Sequence, residues 1–179
     1  MQAPVAPVLM VLSGLPGVGK STIAKALLAQ WPALYLRIDT IEQALRDARV
    51  VTPGRDGRED LGPAGYMVAY ALARTHLAQG LPVLAECVNP LPITRNAWRA
   101  VAQASQACYV PVEVVCSDPA EHRRRVETRT PDVPGLVLPT WDDVRLRHYG
   151  PWDHARWVVD TAALTAPQAA AWLRERLGE

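Results

Sequence analysis

Hydrophobic residues along this chain gather into short apolar runs, and between the runs they recur every three or four positions. The runs are Val8 to Ser13, Leu34 to Ile38, Pro82 to Glu86, Tyr109 to Cys116 and Trp157 to Asp160. Apolar runs of this length suit strands buried on both faces, and the segments between them suit amphipathic helices. Strand and helix alternate, which predicts an α/β fold of three layers: a five-stranded parallel sheet with helices on either side.

Helix signals fit this frame. Ser21 to Gln30 is Ala- and Leu-rich, Ile41 to Ala48 follows the second run, and a long helix is expected from about Pro63 to Gln79, stopped by Gly80. Ser117-Asp118-Pro119 supplies a cap with Pro at the first helical position. Thr140 to Asp143 places acids in a first turn, and Thr165 to Gln168 reads as a capping box. Two stretches break the pattern. Pro53 to Gly62 is rich in Gly, Pro and charge and is a candidate for substrate recognition; Thr130 to Pro139 holds three prolines and a glycine and should be an irregular flap. A chain of 179 residues suits one domain over 1–179, with a lid insert at about 119–150.

The loop after the first run carries the strongest chemistry. Gly14-Leu15-Pro16-Gly17-Val18-Gly19-Lys20-Ser21 fits G-x-x-x-x-G-K-[ST] at every fixed position, between an expected strand and an expected helix. Its glycines allow a tight turn whose N–H groups, with the positive end of the helix, converge on a phosphate. Lys20 would bring a cation to the β- and γ-phosphates, and the Ser21 hydroxyl would take one position on Mg²⁺. Thr22 and Arg123 are expected to contact the same nucleotide. ATP with Mg²⁺ is the expected ligand.

Asp39 ends the second apolar run, and ligands of open parallel sheets gather beyond the carboxyl ends of strands. It could accept the proton of an attacking hydroxyl; alternatively Asp39 or Thr40 caps the helix from Ile41. Glu86, ending the third run, suits a Mg²⁺-bound water or an ion pair with an Arg. Asn89 suits a substrate contact or a turn before Pro90. His122-Arg123-Arg124-Arg125-Val126-Glu127-Thr128-Arg129 is the densest positive stretch. Arg125 and Arg129 share a helical face there and could stabilise a transferring phosphoryl group, or the run is a solvated face.

Composition narrows the partners. A formal net charge of +1 offers no global field for nucleic acid or an anionic membrane. Cys87, Cys108 and Cys116 lack metal or disulfide spacing and are expected to be reduced core thiols. No stretch is long enough to span a bilayer, and no cationic segment precedes the first apolar run, so a cytoplasmic protein is expected. The six Trp read as packing residues, with Trp141, Trp152 and Tyr149 able to line a pocket, and no His has metal-ligand spacing.

Together these residues resemble small P-loop kinases of the chloramphenicol phosphotransferase type, close to the polynucleotide kinase and zeta toxin branch. The resemblance rests on Gly14 to Ser21 and Leu36-Arg37-Ile38-Asp39-Thr40-Ile41. It extends to the Gly62-Pro63 helix entry, Val115-Cys116-Ser117-Asp118 and Val158-Val159-Asp160-Thr161. It implies a sheet ordered 2-3-1-4-5, a lid after the fourth strand, ATP with Mg²⁺, and Asp39 as the base acting on an acceptor hydroxyl. Such relatives tend to end the third strand in paired aspartates, where this chain has Ala85-Glu86.

The expectation is thus a monomeric or weakly dimeric kinase for a small-molecule hydroxyl: an antibiotic, sugar or nucleoside-like acceptor. A polynucleotide 5′-kinase, a toxin-like nucleotide-sugar kinase and a non-catalytic ATP-binding regulator are the rivals. A GTPase would need Asn-Lys-x-Asp, and a motor ATPase a strand ending Asp-Glu.

Overall fold

The computed structural model describes residues 6–50, 52–53 and 59–178. Five strands form one sheet: β1 (Val8–Ser13), β2 (Leu34–Arg37), β3 (Val83–Cys87), β4 (Cys108–Val115) and β5 (Trp157–Asp160). Their order is β2-β3-β1-β4-β5 and every pairing is parallel, the 2-3-1-4-5 arrangement. The helices are α1 (Lys20–Leu28), α2 (Ile38–Asp47), α3 (Ala64–Leu77), α4 (Pro92–Ala104), α5 (Pro119–Thr128), α6 (Trp141–Leu146) and α7 (Ala166–Leu177).

The central strand shows why the layers form. Leu9 and Val11 point to one face and pack with Ala69, Ala73, Leu77 and Trp98 of α3 and α4. Met10 and Leu12 point to the other and pack with Ile23 and Leu27 of α1 and Ala170 and Leu173 of α7. Both faces are covered, so β1 is apolar throughout, and a one-residue slip would exchange the two sets. That register, with Leu12 opposite Glu86 and Val112, brings the strand ends level at one rim.

Both expected caps before α5 and α7 form, and the acidic first turn at Thr140 to Asp143 proves to be a capping box as well. Asp118 accepts from the backbone N–H of Ala120 at 2.9 Å and Glu121 at 3.1 Å. Thr140 and Asp143 bond reciprocally, and the Gln168 side chain accepts from the Thr165 N–H at 2.9 Å. The segment between α5 and α6 contains no helix or strand, as its prolines require.

The second strand does not end as its sequence suggests. β2 stops at Arg37 and passes without a loop into α2, so Ile38 is the first helical residue and buries its side chain beside Leu36. The cap position is Arg37, which makes no side-chain cap bond; neither Asp39 nor Thr40 is a cap. Asp39 lies instead in the first helical turn, where a carboxylate is favoured by the helix dipole.

Other expectations shift less. Of the Pro53 to Gly62 loop, Thr52–Pro53 pairs antiparallel with Glu59–Asp60, and residues 51 and 54–58 lie outside the described residues. Cys87 is buried, but Cys108 is exposed and Cys116 half-buried, so only the first is a core thiol; all three are free. Burial holds the Cys87 thiol up at about 12, which keeps it protonated and inert. Among the described residues no helix is long and apolar enough to cross a membrane.

Candidate active site

The phosphate loop bends as its glycines allow. Gly14 sits at φ +151°, where a Cβ would lie 2.2 Å from the Val114 carbonyl oxygen, so the loop can leave β1 only without a side chain. Gly17 is at φ +84°, and its Cα faces Val126 of α5 so closely that a Cβ would meet Cγ2 at 2.4 Å. α5 thus packs directly on the loop. His122 donates from Nε2 to the Pro16 carbonyl at 2.8 Å, which fixes the proton on that nitrogen. Trp141 stacks edge-on against the His122 ring, away from the cleft.

Lys20 is buried, with its ammonium donating to the carbonyls of Gly14 at 2.8 Å and Leu15 at 3.0 Å. Burial lowers its pKa, against the opposing pull of Glu86 and Asp39. Among the described residues no carboxylate lies in ion-pair contact with it. An ammonium held this way in a cradle of N–H groups suits an anion from outside the protein, and polyphosphate fits.

Beside it the Ser21 hydroxyl donates to Glu86 Oε1 at 2.5 Å, and the Tyr35 hydroxyl donates to Glu86 Oε2. Burial and Glu86 together push the Tyr35 pKa up, so it stays a donor. A buried carboxylate touching the loop serine makes a hard-oxygen pair of the kind Mg²⁺ favours. Arg37 Nε lies 3.9 Å from Glu86, so Glu86 meets both an arginine and the loop.

Asp39 is 47% exposed and lines the same cleft as Lys20, Ser21, Glu86 and Arg129. Arg37 Nη2 holds one of its oxygens at 3.7 Å, leaving the carboxylate open to the cleft. The cleft encloses about 1690 Å³, larger than the roughly 300–1,000 Å³ that one small ligand occupies. Its far wall is apolar and aromatic, formed by Tyr66, Met67, Tyr70, Leu91, Ile93 and Ala97.

The arginine run divides. Arg125 is tied down: Nε meets Glu121 at 2.7 Å, Nη1 the Thr161 hydroxyl at 2.8 Å and Nη2 the Thr161 carbonyl at 3.1 Å. Arg123 is exposed, paired with Glu127 at 2.8 Å, and does not line the cleft, so the structure leaves it apart from the nucleotide contacts expected of it. Arg124 pairs with Glu121. Arg129 is different: half-buried at the end of α5, it points into the cleft with Nε and Nη2 buried and without a hydrogen-bond partner. Burial lowers its pKa, only partly offset by Asp39. Unpartnered guanidinium donors there await acceptors.

Two further polar residues are enclosed by protein. Asn89 is fully buried at φ +52°, with Nδ2 donating to Ser13 Oγ at 2.9 Å, so it shapes a turn and is no substrate contact. Arg95 is also fully buried. It donates to the carbonyls of Asn89, Pro90, Gly150 and Pro151, with its guanidinium 5.0 Å from the Tyr149 ring centroid and 4.3 Å from that of Trp152. Tyr149 and Trp152 therefore clasp an arginine and do not line the cleft.

Several cleft residues were given no role of their own by the sequence reading. Thr161, at the end of β5, approaches the Val18 carbonyl of the phosphate loop at 2.8 Å, and residues 162–166 continue the cleft wall. Tyr35 and Arg37, two apart on β2, share a face toward Glu86; the period of two was the available clue.

Comparison with known proteins agrees with this geometry. The family described as "AAA domain" matches residues 9–148. No curated protein matches the chain. Among solved structures it is similar to the APS kinase of Mycobacterium tuberculosis in complex with AMPPNP and APS, at 17% identity over 98% of this chain and 100% of that one, with a TM-score of 0.70. A gluconokinase from Sinorhizobium meliloti gives 20% identity over 97% of each chain and a TM-score of 0.58. The tunicamycin resistance protein of Deinococcus radiodurans gives 17% over 96% of each and 0.63. The fold is that of the P-loop kinases.

Proposed function

Because the chain belongs to the AAA domain family and folds as the P-loop kinases do, we propose that it moves the γ-phosphate of ATP to a hydroxyl of a small molecule. One observation carries this reading: Lys20, Ser21, Asp39, Glu86 and Arg129 line a single cleft whose volume leaves room for a second ligand beside a nucleotide.

The loop amides and Lys20 bind the polyphosphate. Ser21 and Glu86 would hold Mg²⁺, whose charge offsets that of the phosphate oxygens. Asp39 takes the proton of the acceptor hydroxyl, and Arg129 balances charge on the group in transit. The rest is positioning: the flap over the cleft excludes water, so the alcohol competes without bulk solvent. The apolar far wall suits an acceptor with a hydrophobic body. The branch we propose is that of the chloramphenicol phosphotransferase-like kinases, supported by Asp39 two residues beyond β2 and the Val115-to-Asp118 exit before α5.

A polynucleotide kinase reading loses support, since Arg95 is enclosed by protein and Arg123 is paired with Glu127. A non-catalytic regulator would have no use for an open carboxylate facing an unpartnered arginine.

The test is a screen for ADP release against a panel of alcohols, with a 5′-hydroxyl oligonucleotide included and Lys20→Ala as control. Transfer to at least one small alcohol is expected; transfer only to the oligonucleotide, or binding of ATP with no transfer at all, contradicts the proposal.

A further inference from the structure

Among the described residues, Arg37 is the one side chain that touches carboxylates from three parts of the cleft. Its Nη1 donates to Asp132 at 2.8 Å, its Nη2 lies 3.7 Å from Asp39, and its Nε lies 3.9 Å from Glu86. Asp132 belongs to the irregular segment between α5 and α6; Asp39 is the second residue of α2; Glu86 is the last but one of β3. The same Asp132 accepts from Lys25 of α1 at 3.0 Å. The flap therefore rests on the rim of the cleft through one carboxylate held by two cations.

Location makes this more than a surface pair. The Arg37 side chain is only 12% exposed, so its charge is screened much less than an ordinary ion pair on the surface. Its Nε is buried and makes no hydrogen bond, so the guanidinium is held by its two terminal nitrogens. Remove Asp132 and the short, direct bond is lost; the two longer contacts remain, and nothing then fixes the plane of the guanidinium. Asp39 would lose its fixed neighbour at the same moment that the flap lost its anchor.

Resting on the kinase reading above, we propose that Arg37 is a positioning residue, coupling closure of the flap through Asp132 to the orientation of Asp39 and Glu86. Closed, the flap orients the base and shields it from water; open, the guanidinium is free to turn and the base is misaligned. Nucleotide held by the phosphate loop alone would then meet a competent base only under a closed flap, which limits loss of phosphate to water.

The experiment compares wild type with Asp132→Asn and Asp132→Glu, with Arg37→Lys as a second route. Flap closure is read by chymotryptic cleavage after Leu136 in the presence of AMPPNP, a measurement that needs no turnover. Chemistry is read as kcat for transfer, ATP affinity, and the ratio of ATP hydrolysis to transfer. For Asp132→Asn, cleavage is expected to rise about fivefold or more, kcat to fall about tenfold, and ATP affinity to change by less than about threefold, with the hydrolysis ratio increased. Asp132→Glu should recover most of both effects, and Arg37→Lys, which cannot bridge three groups, should lower kcat as Asp132→Asn does. Unchanged cleavage, or faster cleavage with unchanged kcat in Asp132→Asn, overturns the coupling. A wild-type protein that phosphorylates no alcohol contradicts the kinase reading instead, and the cleavage comparison still decides whether Asp132 anchors the flap.

Discussion

The Ser21 hydroxyl and the Glu86 carboxylate meet at 2.5 Å, joining the phosphate loop to the end of the neighbouring strand. Glu86 is almost wholly enclosed, and its second oxygen accepts from Tyr35. If this pair holds Mg²⁺, Glu86→Gln weakens the metal while the loop amides still bind nucleotide. The Mg²⁺ concentration for half-maximal turnover should rise about tenfold, with ATP affinity in EDTA little altered. A Mg²⁺ dependence identical to wild type removes Glu86 from the metal site.

Lys20 is a buried cation that meets only carbonyl oxygens in ion-pair range among the described residues. Such a group is kept for its ligand rather than for stability. Lys20→Met is therefore expected to fold with a Tm within about 2 °C of wild type or above it, while nucleotide affinity falls about a hundredfold. A Tm lowered by about 8 °C or more would make Lys20 a structural residue.

The architecture was legible because β1 and the loop after it carry redundant information. Val8 to Leu12 is apolar on both faces, and the glycines and Lys-Ser follow at fixed spacing. Asp39 was legible as a strand-end carboxylate, but not its place in a helix, because Ile38 reads as one more strand residue while it begins α2. What stayed hidden was set by tertiary partners. Arg125 and Arg129 look equivalent at a spacing of four, and only the position of Thr161 shows that one is engaged and the other free at two nitrogens. Nothing in the local sequence marks Arg95 as buried; Tyr149 and Trp152, more than fifty positions later, close over it.

Arg95 itself yields a stability prediction. Three carbonyls, those of Asn89, Gly150 and Pro151, would be left with unmet acceptors in Arg95→Met, while that of Pro90 still accepts from the Gly150 N–H at 2.9 Å. The expected loss is about 3–5 kcal/mol, with Arg95→Lys losing roughly half, because an ammonium reaches fewer of the carbonyls and stacks less well on the rings. Urea unfolding measures it; a change below about 1 kcal/mol for Arg95→Met would mean that the clasp contributes little.

The flap contact has a defined response to acid. Burial tends to raise the Asp132 carboxyl, but Arg37 and Lys25 outweigh it and hold the group below the usual aspartate range. Asp39 and Arg129 also face this cluster. A group whose folded pKa is depressed adds stability above its unfolded value, about 3.9, and loses it as pH falls through the folded value. Chymotryptic-type sensitivity of the flap, read with an acid-tolerant protease such as pepsin at the low end, should stay level down to about pH 4 and rise only below it. A rise between about pH 7 and 5 would point to another titrating group.

The most direct test is Asp39→Asn. The side chain keeps its size and its place in the first turn of α2 and gives up only the ability to take a proton. With an acceptor identified, ATP affinity should stay within about threefold of wild type while kcat for transfer falls by about a hundredfold to ten-thousandfold. Transfer at the wild-type rate by a folded Asp39→Asn protein would contradict the assignment of the base, and with it the account of how this cleft works.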